Sequence, residues 1–202
     1  MKTISKIMTA LLLIGATAAL VSFTVPGGWF KKGGAPEKYD AGVDKGAGQN
    51  GINAGTIKSI SKDISGDDGF ASLGQNFNPG KYIGKKIKFS GYVKSLDVEG
   101  WASLWLRTDQ PTKYTLANMQ GRFVKATSEW TRCEIILDVP KDTKNIALGG
   151  LLNGTGQMWF GNLKIEIAGS SEKTTGNLEV GEYAFKPLTN QNDGPTNLDF
   201  SK

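Results

Sequence analysis

The sequence predicts an all-β protein, a two-sheet antiparallel β-sandwich, from three observations. Turn-forming residues, glycine above all at 27 of 202 positions, recur roughly every ten residues, the spacing that short sandwich strands need. The stretches between them alternate apolar and polar side chains with a period of two, as half-buried strands do. Beyond the leading apolar segment no helical period is sustained, so crossover helices of a parallel sheet are not expected.

The chain opens with Met1-Lys2-Thr3-Ile4-Ser5-Lys6 and an apolar run from Ile7 to Val25. Two lysines, an apolar stretch and the small residues Ala16, Ala18 and Ala19 match the three regions of a secretory signal. Thr9, Gly15, Thr17 and Ser22 weaken the run as a membrane span. Residues 1–25 are therefore expected to be a signal peptide or an uncleaved N-terminal anchor. The remainder is expected to be exported to the periplasm, the cell surface or the medium. About 175 residues follow, which suits one domain with tails.

Composition excludes several functions. The formal charge of +5 includes Lys2 and Lys6, and the remaining lysines are scattered among acids with no basic run longer than Lys85-Lys86. A nucleic-acid partner would need a clustered basic face, and no membrane contact is expected beyond the N-terminal segment. Histidine is absent. That removes Ser-His and Cys-His nucleophile pairs, histidine zinc sites and the usual neutral-pH proton shuttle. Cys133 stands alone, so no internal disulfide forms.

In order along the chain, residues 26–34 read as a flexible lead-in and "KGAGQNG" (45–51) as a loop. "TIKSIS" (56–61) reads as a strand and "SGDDG" (65–69) as a turn. In "KKIKFSGYVKS", Ile87, Phe89 and Val93 alternate with Lys86, Lys88, Tyr92 and Lys94. In "WASLWLRTD", Trp101, Trp105 and Arg107 point one way, and Ala102, Leu104 and Leu106 the other. "TRCEIILDV" sets Cys133, Ile135, Leu137 and Val139 on one face until Pro140 ends the ladder. "NIALGGLL" and "QMWFGNLKIEIA" complete the series, the latter with Trp159, Leu163, Ile165 and Ile167 expected on one apolar face. Residues 169–202 read as a linker-like tail, although "PTNLDF" (195–200) could add an edge strand.

The block "GWASLWLRTDQ … NMQGR … SEWTRCEIILDVP … NIALGGLLNGTGQMWFGNLKIEI" resembles a galactose-binding-like β-sandwich domain of bacterial exported proteins, akin to carbohydrate-binding modules. That group also occurs beside AraC-type regulator and hydrolase domains. The resemblance covers residues 35–168 and implies a jelly-roll-like arrangement of the two sheets. It is carried by Trp105-Leu106-Arg107, Asn118-Met119-Gln120, Trp130-Thr131, and Gly154-Thr155-Gly156 with Trp159-Phe160. The group usually has an aspartate before Asn118 and another where this chain has Gly161; here Ala117 and Gly161 stand instead.

"GTGQMWFGNLKIEI" places Gly154 and Gly156 before a strand rather than between a strand and a helix. They are expected to shape a tight connection, not a phosphate cradle. The leading functional expectation is non-catalytic carbohydrate binding. Sugar rings pack C–H faces on indoles while fixed polar groups bond the hydroxyls. Trp101, Trp105, Arg107, Tyr92 and Asn118 are the candidate contacts on the sheet face, although core packing is the favoured reading of Trp105; Gln120 and Arg122 are further polar candidates. The alternative partner is a protein of the cell envelope, docked on the same face. A third reading is glycoside hydrolysis by carboxylates among Asp97, Glu99, Asp109, Glu134 and Asp138. Glu134 and Asp138 lie about 13 Å apart on one strand face, and solubility accounts for them better. No cofactor is required. The loop "YDAGVDKGAGQNG" offers Asp40 and Asp44, joined by Glu166 from the late strand, as candidate ligands for one structural Ca²⁺.

Overall fold

The computed structural model describes residues 22–64, 66–176, 178–189 and 191–202. Most of the expected signal or anchor thus lies outside the described residues. Ten strands follow one another among those described: β1 (Phe30–Gly33), β2 (Tyr39–Asp44), β3 (Ala54–Ser59), β4 (Phe70–Phe77), β5 (Lys86–Asp109), β6 (Lys113–Ala117), β7 (Val124–Asp138), β8 (Asn145–Asn153), β9 (Gln157–Ile167) and β10 (Glu179–Glu182). All the strand pairings are antiparallel. The all-β expectation holds. No helix among the described residues is long and apolar enough to cross a membrane.

β5 joins the two layers. Its first half lies between β7 and β9, giving the order β2-β3-β9-β5-β7. Its second half lies between β8 and β6, giving β1-β4-β8-β5-β6-β10. The two expected strands are therefore one, bent over the top of the sandwich. Register shifts against β7 between Val93 and Ala102, with Asp97 at φ 51°, make the corner, as bulges do where a strand changes sheet. The glycine-rich bend seats here. Gly154 and Gly156 have φ of 79° and 106°, and a β-carbon on Gly156 would stand 2.5 Å from the Asp97 carbonyl oxygen. Gly154 is further held by its amide on Gly69 and by Tyr39, whose hydroxyl donates to the Gly154 carbonyl at 2.9 Å. The bend is a structural turn.

Between the layers, Ile57, Phe89, Ile135 and Phe160 from one sheet meet Leu73, Leu104, Leu106 and Leu148 from the other, all fully buried. Cys133, Ile135, Leu137 and Val139 share that core, as the alternation of β7 predicts.

Three expectations are corrected. Trp159 does not sit on the face of Leu163 and Ile165. A bulge at Gly161–Asn162, with Asn162 at φ 51°, shifts the register against β5 between Ser90 and Tyr92 and reverses the facing of everything before it. Met158 and Phe160 point inward, and the half-buried Trp159 indole donates to Asp44 Oδ2 at 2.8 Å on the outside. Residues 26–34 are no loose lead-in, because Trp29 is buried and β1 pairs with β4. The tail at 169–202 is no linker either. β10 extends a sheet, Gln75 exchanges two hydrogen bonds with the Thr196 backbone, and Phe200 is 1 % exposed beside Trp29 and Phe160. Apolar anchors outweighed the turn-rich composition around them.

Candidate functional site

The outer face of the β1-β4-β8-β5-β6-β10 sheet carries a groove of about 910 Å³. Register builds it row by row. Trp101 stands opposite Asn153, which faces Phe70. Next come Ser103, Leu151, Ser72 and Lys32, then Trp105, Gly149, Gly74 and Phe30. Arg107 sits with Ala147 and Asn76 on one side and with Leu116 and Glu179 on the other. Asp109 with Asn145 and Tyr114 forms the last row. One face of each strand lines the groove while the other, with Ala102, Leu104 and Leu106, fills the core. The alternation read in "WASLWLRTD" is the alternation observed.

The aromatic end is built by two strands. Val124 pairs with Ala102, which brings Phe123 beside Trp101; the rings stack at 4.2 Å and 16°. Trp105 departs from the core position that the sequence favoured. It is 8 % exposed, yet it lies on the groove face rather than between the sheets. Its indole crosses β8 onto β4, where Gly74 leaves room, and Nε1 donates to the Gly150 carbonyl at 3.2 Å.

The polar end is organised around Arg107. Its Nε donates to Asp109 Oδ1 at 2.5 Å, and Asn145 Nδ2 donates to Asp109 Oδ2 at 2.6 Å. The guanidinium lies 4.1 Å from the Tyr114 ring and 4.9 Å from that of Tyr183, cation–π contacts that fix its plane. Burial, then the charge of Asp109, raise the Tyr183 phenol pKa against the opposing pull of Arg107. Asn118, half-buried in the groove, makes no side-chain hydrogen bond to the described residues, so its amide is available to a ligand. Gln120 also lines the groove, whereas Arg122 turns away and donates to the Glu134 carbonyl at 3.1 Å.

Not all the sequence candidates converge. Tyr92 lies on the first half of β5, opposite Arg132 and Gly161, on the outside of the other sheet; the turnover of β5 at its corner separates it from Trp101. The calcium set is also dispersed. Asp40 faces Lys58, which faces Gln157, and Glu166 lies nine residues further along β9, about 30 Å away. Asp40 accepts bonds from Ser22 and Phe23, Asp44 from Trp159, and Glu166 pairs with Lys164. No group of three or more metal-binding side chains occurs among the described residues, so these three do not fit a shared ion. Among the carboxylates weighed for hydrolysis, Glu134 pairs with Arg132 outside the groove, and Asp109 is buried against Arg107 and Asn145.

Sequence reasoning missed Phe123, Phe30 and the C-terminal Tyr183, Phe185 and Leu188 that also line the groove. Phe123 could have been found from the pairing of Val124 with Ala102; the tail residues carried no signal until their strand was placed.

No family model matches the chain. Over 164 residues it is 33% identical to an uncharacterized HTH-type transcriptional regulator, YbfP, of Bacillus subtilis (strain 168), covering 80% of this chain and 55% of that protein. The chain thus spans about half the length of the curated relative it matches. Among solved structures, a putative sugar binding protein from Bacteroides thetaiotaomicron superposes with a TM-score of 0.54 at 12% identity, over 74% of this chain and 96% of that one. The CBM22-1–GH10 modules of a Clostridium thermocellum endo-1,4-beta-D-xylanase, complexed with xylohexaose, give 0.50 at 18% identity, over 73% of this chain and 27% of that one. At such identities the likeness is one of fold. The chain shares the fold of these two structures, an all-β antiparallel sandwich of two sheets.

Proposed function

We propose that this chain is an exported, non-catalytic module that binds carbohydrate in the groove. The observation that carries the reading is the stacked Trp101–Phe123 pair beside the flat Trp105 indole, with Asn118, Asn153 and Arg107 around them. Pyranose C–H faces would pack on the aromatic end, and the amides and guanidinium would take the hydroxyls. The Bacteroides protein of similar fold is described as a putative sugar binding protein and the xylanase modules were solved with xylohexaose; both support the reading. Native affinity electrophoresis in gels carrying soluble xylan, galactan or β-glucan tests it. Retardation by at least one of them, lost in Trp101→Ala, is expected; migration unchanged in every gel would overturn it.

A second reading, docking of an envelope protein on the same face, draws on Leu188, an apolar side chain of the groove lining that is 39 % exposed. Capture of a protein partner that free oligosaccharide does not displace would favour it. Hydrolysis is tested by release of reducing ends from the same polysaccharides, and none is expected.

A further inference from the structure

We infer that the C-terminal segment 179–188 is a wall of the ligand site, and that Tyr183 is a positioning residue that holds Arg107 for the ligand; this rests on the groove reading above. Glu179, Tyr183, Phe185 and Leu188 line the groove. β10 pairs with β6 through Glu179–Glu182, and the chain then stays on the sheet through two backbone bonds, Tyr183 to Thr112 at 2.9 Å and Phe185 to Pro111 at 3.0 Å. Tyr183 meets both Tyr114 and Phe185 edge to face, at 6.3 and 6.4 Å.

The segment reaches Arg107 by two routes. In its middle the Tyr183 ring lies 4.9 Å from the guanidinium. Beyond its C-terminal end, Gln191 Nε2 donates to Asn145 Oδ1 at 2.6 Å, Asn145 donates to Asp109, and Asp109 accepts from Arg107 Nε. With Nε taken by Asp109, a side-chain hydrogen bond made to the Tyr183 phenol and the guanidinium plane set by two rings, only the remaining terminal N–H groups are left for a ligand oxygen. A free arginine gives up rotamer entropy when fixed. A ligand meeting Arg107 already ordered is spared most of that cost. Leu188, 39 % exposed, offers the apolar rim that a bound ring would cover. Occupancy of the groove and docking of the segment therefore reinforce each other.

The test pairs Tyr183→Ala with Tyr183→Phe and Trp101→Ala. Retardation is read in xylan, galactan and β-glucan gels, and amide hydrogen exchange is read across residues 179–185 with and without the retarding polysaccharide. Tyr183→Ala is expected to weaken binding about tenfold, or 1.4 kcal/mol, and Tyr183→Phe, which keeps the ring over Arg107 but loses the hydroxyl bonded to it, to recover part of that loss. The polysaccharide is expected to slow exchange across 179–185 in the wild-type protein. If Trp101→Ala abolishes retardation while Tyr183→Ala binds like wild type and 179–185 exchanges alike with and without polysaccharide, the groove reading stands and the wall inference falls. If the wild-type protein is not retarded in any gel, both fall.

Discussion

The Trp105 indole lies across β8 onto Gly74 of β4, so close that a β-carbon on Gly74 would stand 2.5 Å from Trp105 Cζ2. One position of β4 is thus kept bare for a side chain of β5. Gly74→Val should push the indole upward and destabilise the fold by about 1–3 kcal/mol, the usual cost of overpacking. A lowered melting temperature, a shifted tryptophan emission and loss of polysaccharide retardation are the expected readings.

Trp101 and Phe123 form a pair rather than two separate hydrophobes. Phe123→Ala leaves Trp101 in place but removes its backing, worth about 0.5–1.5 kcal/mol beyond the buried area. Binding should weaken roughly tenfold with little change in melting temperature, because both rings are only half-buried at the groove's edge. Calorimetric titration beside a thermal melt separates the two effects.

Charge in the groove predicts a salt response. Lys32 and Arg107 face Asp67, Asp109 and Glu179, and Asp109 already offsets Arg107 at 2.5 Å. With no surplus positive charge to screen, binding of a neutral polysaccharide should be the same at low and high ionic strength. Polymers rich in uronic acid should bind less well than neutral ones. Retardation measured across a salt series checks both points.

Alkaline pH should loosen the fold through two buried acids. Burial pushes the Tyr39 phenol up to about 12 and the Cys133 thiol up to about 11. In each case the folded state holds its proton more tightly than the unfolded chain. Their stabilisation is therefore complete below about pH 8.5, the ordinary thiol pKa, declines as pH rises through the folded values, and is gone above them. Denaturant midpoints should fall steadily from pH 9 towards pH 11, and Cys133→Ser should flatten the first part of that decline. Native Cys133 should also react slowly with thiol reagents at pH 8, since the thiolate is the reactive form.

Phe200 plugs the core from the far end of the chain, 4.9 Å from Trp29 and 5.4 Å from Phe160. Phe200→Ala should cost about 3–5 kcal/mol, seen as a large drop in melting temperature. A tail that merely trailed in solvent would show no change.

The strands with clean alternation were legible from sequence because one face of each packs against the opposing sheet. "WASLWLRTD" and "TRCEIILDV" fall where the period of two places them. The site was legible only within a single strand. Trp101, Trp105 and Arg107 share a face through local geometry alone, whereas Tyr92 was lost to the corner at Asp97, and the expected core position of Trp159 to the bulge at Asn162. One extra residue in a ladder reverses every side chain beyond it, and composition does not announce where it falls. The tail misled for another reason. Polar, turn-rich stretches read as linkers until a single aromatic such as Phe200 finds a cavity left by distant strands.

Five indoles on different parts of the molecule allow the central claim to be tested directly. In a ¹⁵N-labelled protein, the side-chain resonances of Trp29, Trp101, Trp105, Trp130 and Trp159 can be followed while xylo-, galacto- or gluco-oligosaccharide is added. The groove assignment predicts that Trp101 and Trp105 shift together and saturably while Trp159, on the opposite sheet, stays still. Shifts confined to Trp130 or Trp159, with Trp101 unmoved at saturation, would contradict it.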